Sequence, residues 1–187
     1  MEQKIFHQFQ TMIETTMKVG DSLSNSISSG AEVMSNAFLS GKTIFCCGDK
    51  GSGISAELLT YYLTEGYEIE RPRLPAINLS HLCNNSSEVN PFSEVINIHG
   101  ESSDILFVIS AGNNAPNLIA AVRKAIEKQM AIVLISASND KDLTSMIGYN
   151  DVELGTSEFK GQLLTLAQIE IVQCLCSLID DKIFGGT

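Results

Sequence analysis

Residues 44–59 constrain the fold of this chain more than any other stretch. Ile44 to Cys47 form a short apolar run, which is typical of a parallel strand covered on both faces. Three glycines follow within the next six residues, at Gly48, Gly51 and Gly53. Ser52 and Ser55 then supply a residue type that favours a helix N-terminus. A strand, a glycine turn and a helix in this order predict an α/β domain.

The turn after this strand is a candidate phosphate-binding site. Backbone N–H groups at the start of a helix point outward and attract anions. The glycine spacing matches neither a P-loop nor the dinucleotide-binding pattern Gly-x-Gly-x-x-Gly. We therefore predict a phosphate or sugar site at Gly51, Ser52 and Gly53, and the alternative is a turn that only reverses the chain.

The rest of the chain alternates between short apolar runs and longer amphipathic ones. The runs at residues 76–79, 104–109, 131–136 and 151–154 predict four further strands. Helices are expected from Pro91, over residues 117–128 and over residues 161–183. This order predicts a three-layer α-β-α sandwich around a five-stranded, mostly parallel sheet.

A second glycine-bearing turn follows the strand at residues 104–109. Ligands of open parallel sheets bind beyond the carboxyl ends of the strands, so this turn and the first one should border one pocket. Ser110 and Asn114 are the candidate ligand contacts in it. The alternative for both residues is ordinary turn chemistry.

Two helices are predicted before the first strand, over residues 1–19 and 22–39, with Asp21 as the cap of the second. A minimal sheet domain does not need them, so their apolar stripes pack on the sheet or on another subunit, and we favour the subunit. We expect one domain, with residues 1–40 as an oligomer interface and residues 41–187 as the α/β core.

Composition narrows the class of protein. The net charge of -10 argues against a direct nucleic-acid binder, which needs clustered Lys and Arg. The five cysteines follow no zinc spacing and are expected to be reduced structural thiols. The polar N-terminus does not fit a signal peptide, and no uninterrupted apolar run reaches membrane-spanning length. These features predict a cytoplasmic protein.

Several segments together resemble the SIS (sugar isomerase) domain family, over nearly the whole length. Within it, the chain is similar to the branch of phosphoheptose isomerases and DiaA-type DnaA initiator-associating proteins. The segments that carry the resemblance are residues 47–52, 70–77, 104–110 and 174–184. The resemblance implies a homotetramer with the N-terminal helices at the subunit interfaces.

The resemblance implies isomerase chemistry, but the residues that this chemistry requires are absent from the corresponding positions of this chain. In phosphoheptose isomerases the first helix after the glycine turn supplies a zinc-ligand histidine and a catalytic glutamate, and those positions hold Leu58 and Tyr62. The last helix supplies a glutamine and a histidine, and those positions hold Thr165 and Gln173. We therefore predict no catalytic residues and no metal. His81, His99 and Glu57 are candidate acids or bases, but surface positions without a function are the simpler interpretation.

The C-terminal segment is most similar to the DiaA type, in which a Leu-Phe pair contacts the initiator DnaA. Ile183 and Phe184 hold this position and are the predicted partner-binding residues, with packing of the last helical turn as the alternative. The resemblance thus predicts a non-catalytic protein that binds DnaA and promotes its assembly at the replication origin. The alternatives are a zinc-dependent isomerase that converts sedoheptulose 7-phosphate to glycero-manno-heptose 7-phosphate for lipopolysaccharide heptose, and a sugar-phosphate sensor.

Overall fold

The computed structural model of the chain describes residues 1–83 and 90–185. The five strands are β1 (Ile44–Gly48), β2 (Ala76–Asn78), β3 (Ile105–Ile109), β4 (Ala131–Ser136) and β5 (Val152–Gly155). The helices are α1 (Glu2–Leu39), α2 (Ser52–Glu65), α3 (Leu79–Leu82), α4 (Pro91–His99), α5 (Pro116–Glu127), α6 (Lys141–Thr144) and α7 (Gln162–Phe184).

All strand pairs are parallel, and the strand order is β2-β1-β3-β4-β5. The predicted five-stranded α/β sheet is therefore confirmed. The chain reverses its direction of travel across the sheet between β1 and β3, where Gly48 lies opposite Ile109. A crevice forms at the carboxyl end of such a pair, because the connections leave it on opposite faces of the sheet. The two glycine-bearing turns both begin there.

Side-chain alternation along β1 separates two cores. Cys46 belongs to the hydrophobic cluster that includes α1, α2 and α7, whereas its neighbour Cys47 belongs to the cluster of α4 and α5. Each strand residue points to the face opposite that of the next one, so a fully apolar strand supplies both cores. The result is the predicted three-layer sandwich.

The N-terminal prediction of two helices is wrong, because α1 runs without a break for 38 residues. The expected boundary at Gly20 and Asp21 lies inside it. One glycine in a helix costs about 1 kcal/mol, which packing of the flanking turns outweighs. Val19, Leu23 and Ile27 are buried at four-residue spacing across this point, so a single apolar face continues through it.

Two short helices depart from the sequence-based expectation. The polar composition of residues 80–90 is typical of a loop, but α3 covers the first part of them, and Asn78 caps it by accepting a hydrogen bond from the Ser80 N–H at 2.9 Å. Residues 84–89 of that loop lie outside the described residues. Helix α6 was not predicted, because four residues are too few to show a helical period.

Helix α7 has 23 residues, and an 18-residue stretch of it has a mean hydropathy of 1.6, so it is long and apolar enough to span a membrane. It is the one such helix in the part of the chain that the structure describes. The sequence-based expectation that no segment reaches this length rested on uninterrupted apolar runs, whereas polar residues interrupt the apolar residues of α7. In the fold, its apolar residues pack in the core with α1 and α2. A core helix passes the same test as a membrane helix because it too is apolar on most sides.

Candidate functional site

The two loops after β1 and β3 pack closely against their surroundings, and two glycines make this possible. A Cβ at Gly48 would lie 2.6 Å from the carbonyl oxygen of Ser52, so no side chain fits where the chain turns into α2. Gly112 has a φ of +85°, and a Cβ there would lie 2.4 Å from the carbonyl oxygen of Ser138. Both loops are thus fixed by backbone contacts at the floor of the crevice.

Gln168 of α7 joins the two loops. The buried Ser52 hydroxyl donates to Gln168 Oε1 at 3.0 Å, and Gln168 Nε2 donates to the carbonyl oxygen of Ser110 at 2.8 Å. Ser52 is therefore not the helix cap that its sequence position suggests, because Gly51 occupies that position without a side-chain bond. The Ser110 hydroxyl accepts a hydrogen bond from the Gly112 N–H at 3.1 Å. Sequence analysis missed Gln168, although a glutamine beside Ala167 in an apolar stripe is a usable signal.

A carboxylate of the chain binds the second loop. Asp49 Oδ1 accepts a hydrogen bond from the Ala111 N–H at 2.7 Å. The N–H groups of Ser52 and Gly53 donate to the carbonyl oxygens of Asp49 and Lys50, at 2.9 and 3.2 Å. These backbone donors would otherwise be the ones available to a bound anion. In this arrangement Asp49 supplies the negative charge itself, and a phosphate in the same place would be repelled by it.

Asn114 makes its hydrogen bonds with the segment that follows β4. Its side-chain Oδ1 accepts a hydrogen bond from the Asp142 N–H of α6 at 3.2 Å, and its own N–H donates to Asp140 Oδ1 at 3.3 Å. These bonds join the second loop to the β4–α6 connection. Ligand contact by Asn114 stays a prediction, and its side-chain oxygen already has a hydrogen-bond partner within the fold.

Glu57 and His81, which sequence analysis considered separately, lie together at the carboxyl ends of β1 and β2. Glu57 Oε2 lies 2.9 Å from His81 Nε2 and accepts a hydrogen bond from Asn78 Nδ2 at 2.7 Å. Glu57 and Asn78 line an open cavity of about 590 Å³ with Lys50 and Tyr61. A carboxylate that orients an imidazole beside a cavity has the chemistry of an acid–base pair. Pairing across 24 positions could not be read from the sequence.

The comparisons with known proteins agree with this fold. Residues 7–137 match the family model described as SIS domain. The phosphoheptose isomerase of Shewanella pealeana is 32% identical to the chain, over 98% of this chain and 97% of that protein. This chain belongs to the SIS domain family.

Another SIS-domain relative is named DnaA initiator-associating protein DiaA, from Photorhabdus laumondii, and is 28% identical over 94% of this chain and 93% of that protein. Among solved structures, a phosphoheptose isomerase from Francisella tularensis superimposes with a TM-score of 0.85 at 26% identity, covering 96% of this chain and 97% of that one. The family and the fold are therefore shown, and both named roles occur among relatives of similar identity.

The α2 positions at which the family resemblance implies a zinc ligand and a catalytic glutamate do not fit a metal in this chain. Leu58 packs against the core of α1, α2 and α7, and the Tyr62 ring meets the Tyr67 ring edge-on, with centroids 4.7 Å apart. A side chain of leucine offers no donor atom, and zinc sites use thiolate, imidazole or carboxylate. Within residues 1–83 and 90–185, no three His, Cys, Asp or Glu side chains are grouped so as to hold a metal.

The cysteines have the properties of structural thiols. All five are free, and Cys46, Cys47 and Cys176 are buried. Burial raises the pKa of Cys46 to about 12, and it raises the pKa of Cys47 well above its ordinary value. A neutral thiol is a poor nucleophile and a poor metal ligand, so these side chains act as small apolar residues.

A buried ion pair joins the C-terminal end of α7 to the connector between α2 and β2. Arg71 Nε lies 2.6 Å from Asp180 Oδ1, and both side chains are almost fully buried, with 1% and 4% of their surface exposed. Arg71 Cζ lies 5.4 Å from the centroid of the Phe184 ring. Ile183 packs partly against the core, whereas Phe184 keeps 36% of its surface exposed. The two predicted partner-binding residues thus differ, since one is mainly structural and the other is displayed.

Proposed function

We propose that this protein is a non-catalytic SIS-domain protein of the DiaA type, which binds the replication initiator DnaA and promotes its assembly at the origin. The observation that carries the proposal is the bond between the Asp49 carboxylate and the Ala111 N–H. It commits one backbone donor of the crevice, the Ala111 N–H, to a residue of the chain itself. A protein whose anion site is filled in this way is better suited to binding a partner than to turning over a sugar phosphate.

The C-terminal end of α7 supports the choice of partner. Phe184 is an exposed aromatic residue at the position where the resemblance to DiaA-type proteins puts the DnaA contact. Aromatic side chains are enriched at the centres of protein interfaces. The net charge of -10 also suits a partner that carries basic DNA-binding surfaces.

The proposal includes a homotetramer in the cytoplasm, with α1 at the subunit interfaces. The first half of α1 exposes five large apolar side chains, each by more than half of its surface: Ile5, Phe6, Phe9, Ile13 and Met17. A stripe of this size on a soluble protein favours a second copy of the chain as its cover. Four copies of one DnaA-binding surface would raise the apparent affinity without any new contact.

The test is the affinity of the purified protein for immobilised DnaA, measured by surface plasmon resonance. The wild-type protein is expected to bind, and an Ile183→Ala/Phe184→Ala variant is expected to lose at least about 10-fold in affinity. Ile98→Ala is the matched control, because Ile98 is an exposed apolar residue on α4 in the opposite helical layer. No binding by the wild type, or equal binding by all three proteins, would overturn the proposal.

A phosphoheptose isomerase is the second candidate, favoured by the Glu57–His81 pair at 2.9 Å beside the cavity. Such a pair could move a proton between neighbouring carbons of a sugar, although the zinc positions of the family enzymes are lost. Turnover of sedoheptulose 7-phosphate by the pure protein, abolished by Glu57→Gln or by a chelator, would select this candidate. Saturable binding of the sugar phosphate without turnover would select a sensor.

A further inference from the structure

The connector between α2 and β2 holds a buried arginine whose hydrogen bonds are nearly all made. Arg71 Nε donates to Asp180 Oδ1, Nη1 donates to the carbonyl oxygens of Leu63 and Pro72 at 2.9 and 3.1 Å, and Nη2 donates to that of Tyr62 at 2.9 Å. Asp180 accepts a further hydrogen bond from the Tyr67 N–H at 3.4 Å. A guanidinium fixed by a carboxylate and three carbonyls cannot swing away, so its flat face is a rigid platform.

The side chain beside the Arg71 guanidinium is Phe184, an exposed aromatic residue of α7. The Phe184 ring centroid lies 5.4 Å from Arg71 Cζ, which is cation–π distance. The ring is thereby supported from inside while about a third of its surface remains exposed. The charge of Arg71 is already paired with Asp180, so the ion pair does not depend on the contact with the Phe184 ring.

We propose that Arg71 and Asp180 are positioning residues that hold the Phe184 ring ready for a partner. This inference rests on the proposed function for the use of that surface. A ring fixed before binding loses little conformational entropy when a partner covers it, so the rigid platform adds affinity without touching the partner. The residues responsible lie in α2's connector and in α7, more than 100 positions apart.

The charges around the ring indicate the kind of partner. Glu70 beside Arg71 and Asp181 one turn before Phe184 are exposed carboxylates. The exposed cations closest in sequence, Arg73 and Lys182, are each paired with a glutamate, Glu65 and Glu32. The segments that carry Arg71 and Phe184 therefore have an excess of negative charge, which suits an apolar partner segment bordered by Lys or Arg.

A double-mutant cycle tests the positioning role with DnaA as the probe. Arg71→Lys and Phe184→Leu are each expected to weaken binding by about 10-fold, and the double variant no further, because Arg71 acts through the ring. Phe184→Tyr keeps the stacking and is expected to bind like the wild type. Additive losses in the double variant, or unchanged binding of Arg71→Lys, would overturn the inference.

A second readout does not depend on DnaA. 4-Fluorophenylalanine at position 184 of the full chain should give one ¹⁹F resonance displaced from its position in urea, and Arg71→Lys should move it towards that position. The same label at Phe92, a buried residue of the other core, is the control and should not respond to Arg71→Lys. A resonance at the unfolded position in the native chain would overturn the inference even if Arg71→Lys fails to fold.

The two measurements separate the possible failures. If the wild type does not bind DnaA but the ¹⁹F signal shows a fixed ring that depends on Arg71, the proposed function is wrong and the positioning role stands. If the wild type binds DnaA through Phe184 and Arg71→Lys changes neither signal, the positioning role is wrong and the function stands.

Discussion

The crevice between β1 and β3 and the end of α7 each contain a buried polar network. They differ in whether an exposed aromatic side chain lies beside the network. In the crevice, Ser52, Gln168 and Ser110 bond one another, and Asp49 takes the Ala111 N–H. The second carboxylate oxygen of Asp49 is buried without a hydrogen-bond partner in the described part of the chain. At the end of α7, both carboxylate oxygens of Asp180 accept hydrogen bonds, and an aromatic ring remains exposed beside the Arg71–Asp180 pair. The comparison teaches that a side chain of the protein itself can occupy a backbone donor beside a crevice while an aromatic ring stays exposed elsewhere.

The largest expected effect comes from removing one partner of the α7 anchor. Arg71→Ala leaves Asp180 buried and unpaired, which should lower the free energy of unfolding by about 3–5 kcal/mol in urea titrations. Arg73→Ala is the matched control, because its pair with Glu65 is exposed and should contribute less than about 1 kcal/mol. Similar losses for the two variants would show that the anchor is no stronger than a surface pair.

Removing the hydrogen bond between the Asp49 carboxylate and the Ala111 N–H should have the next largest effect. Asp49→Ala removes a charged hydrogen-bond acceptor from the Ala111 N–H and should cost about 1.5–3 kcal/mol of stability. The freed donor should also allow inorganic phosphate to raise the melting temperature of the variant, whereas the wild type shows no such rise. A rise in the wild type as well would mean that the crevice is open to anions.

A smaller difference is expected between two buried serines of α2. Ser52→Ala leaves Gln168 Oε1 without its donor and should cost about 1–2 kcal/mol, measured by urea unfolding. Ser55→Ala should be neutral or stabilising, since the Ser55 hydroxyl is buried without a hydrogen-bond partner in the described part of the chain. Equal losses at both positions would argue that helix packing, and not the link to Gln168, sets the cost.

The smallest expected effect is on the pH dependence of the free energy of unfolding, and it comes from Cys46. Burial raises the pKa of Cys46 to about 12, so the folded thiol stays protonated while the unfolded thiol ionises from about pH 9. The unfolded state therefore binds fewer protons in this range, and stability falls as the pH rises above 9, by about 0.8 kcal/mol per thiol at pH 9.5. Cys46→Ala should show a correspondingly shallower decline. If Cys46→Ala and the wild type lose stability equally as the pH rises, the raised pKa of Cys46 would be contradicted.

The strands and the position of the crevice could be predicted, because fully apolar runs and glycine turns are local signals. The strand at Ala131–Ser136 and the turns after Gly48 and Ile109 follow directly from them. The continuous α1 could not, because whether a helix passes Gly20 depends on packing against α7, which a local pattern does not contain.

The candidate site was predicted only in part for the same reason. Ser52 and Ser110 do flank the crevice, but the Ser52 hydroxyl and the Ser110 carbonyl oxygen are bonded by Gln168, more than 50 positions away from either residue. The partnership of Glu57 with His81 and the support of Phe184 by Arg71 are also contacts between distant segments. A sequence shows which side chains are available, and only the fold shows which of them are already used.

The central claim is that the displayed end of α7, and not the crevice, is the binding surface. The most direct test measures the affinity for DnaA of two variants side by side, Ile183→Ala/Phe184→Ala and Ser52→Ala/Ser110→Ala. The account predicts that the first variant loses at least about 10-fold in affinity and that the second binds like the wild type. Loss of DnaA binding in the second variant with retention in the first would contradict it.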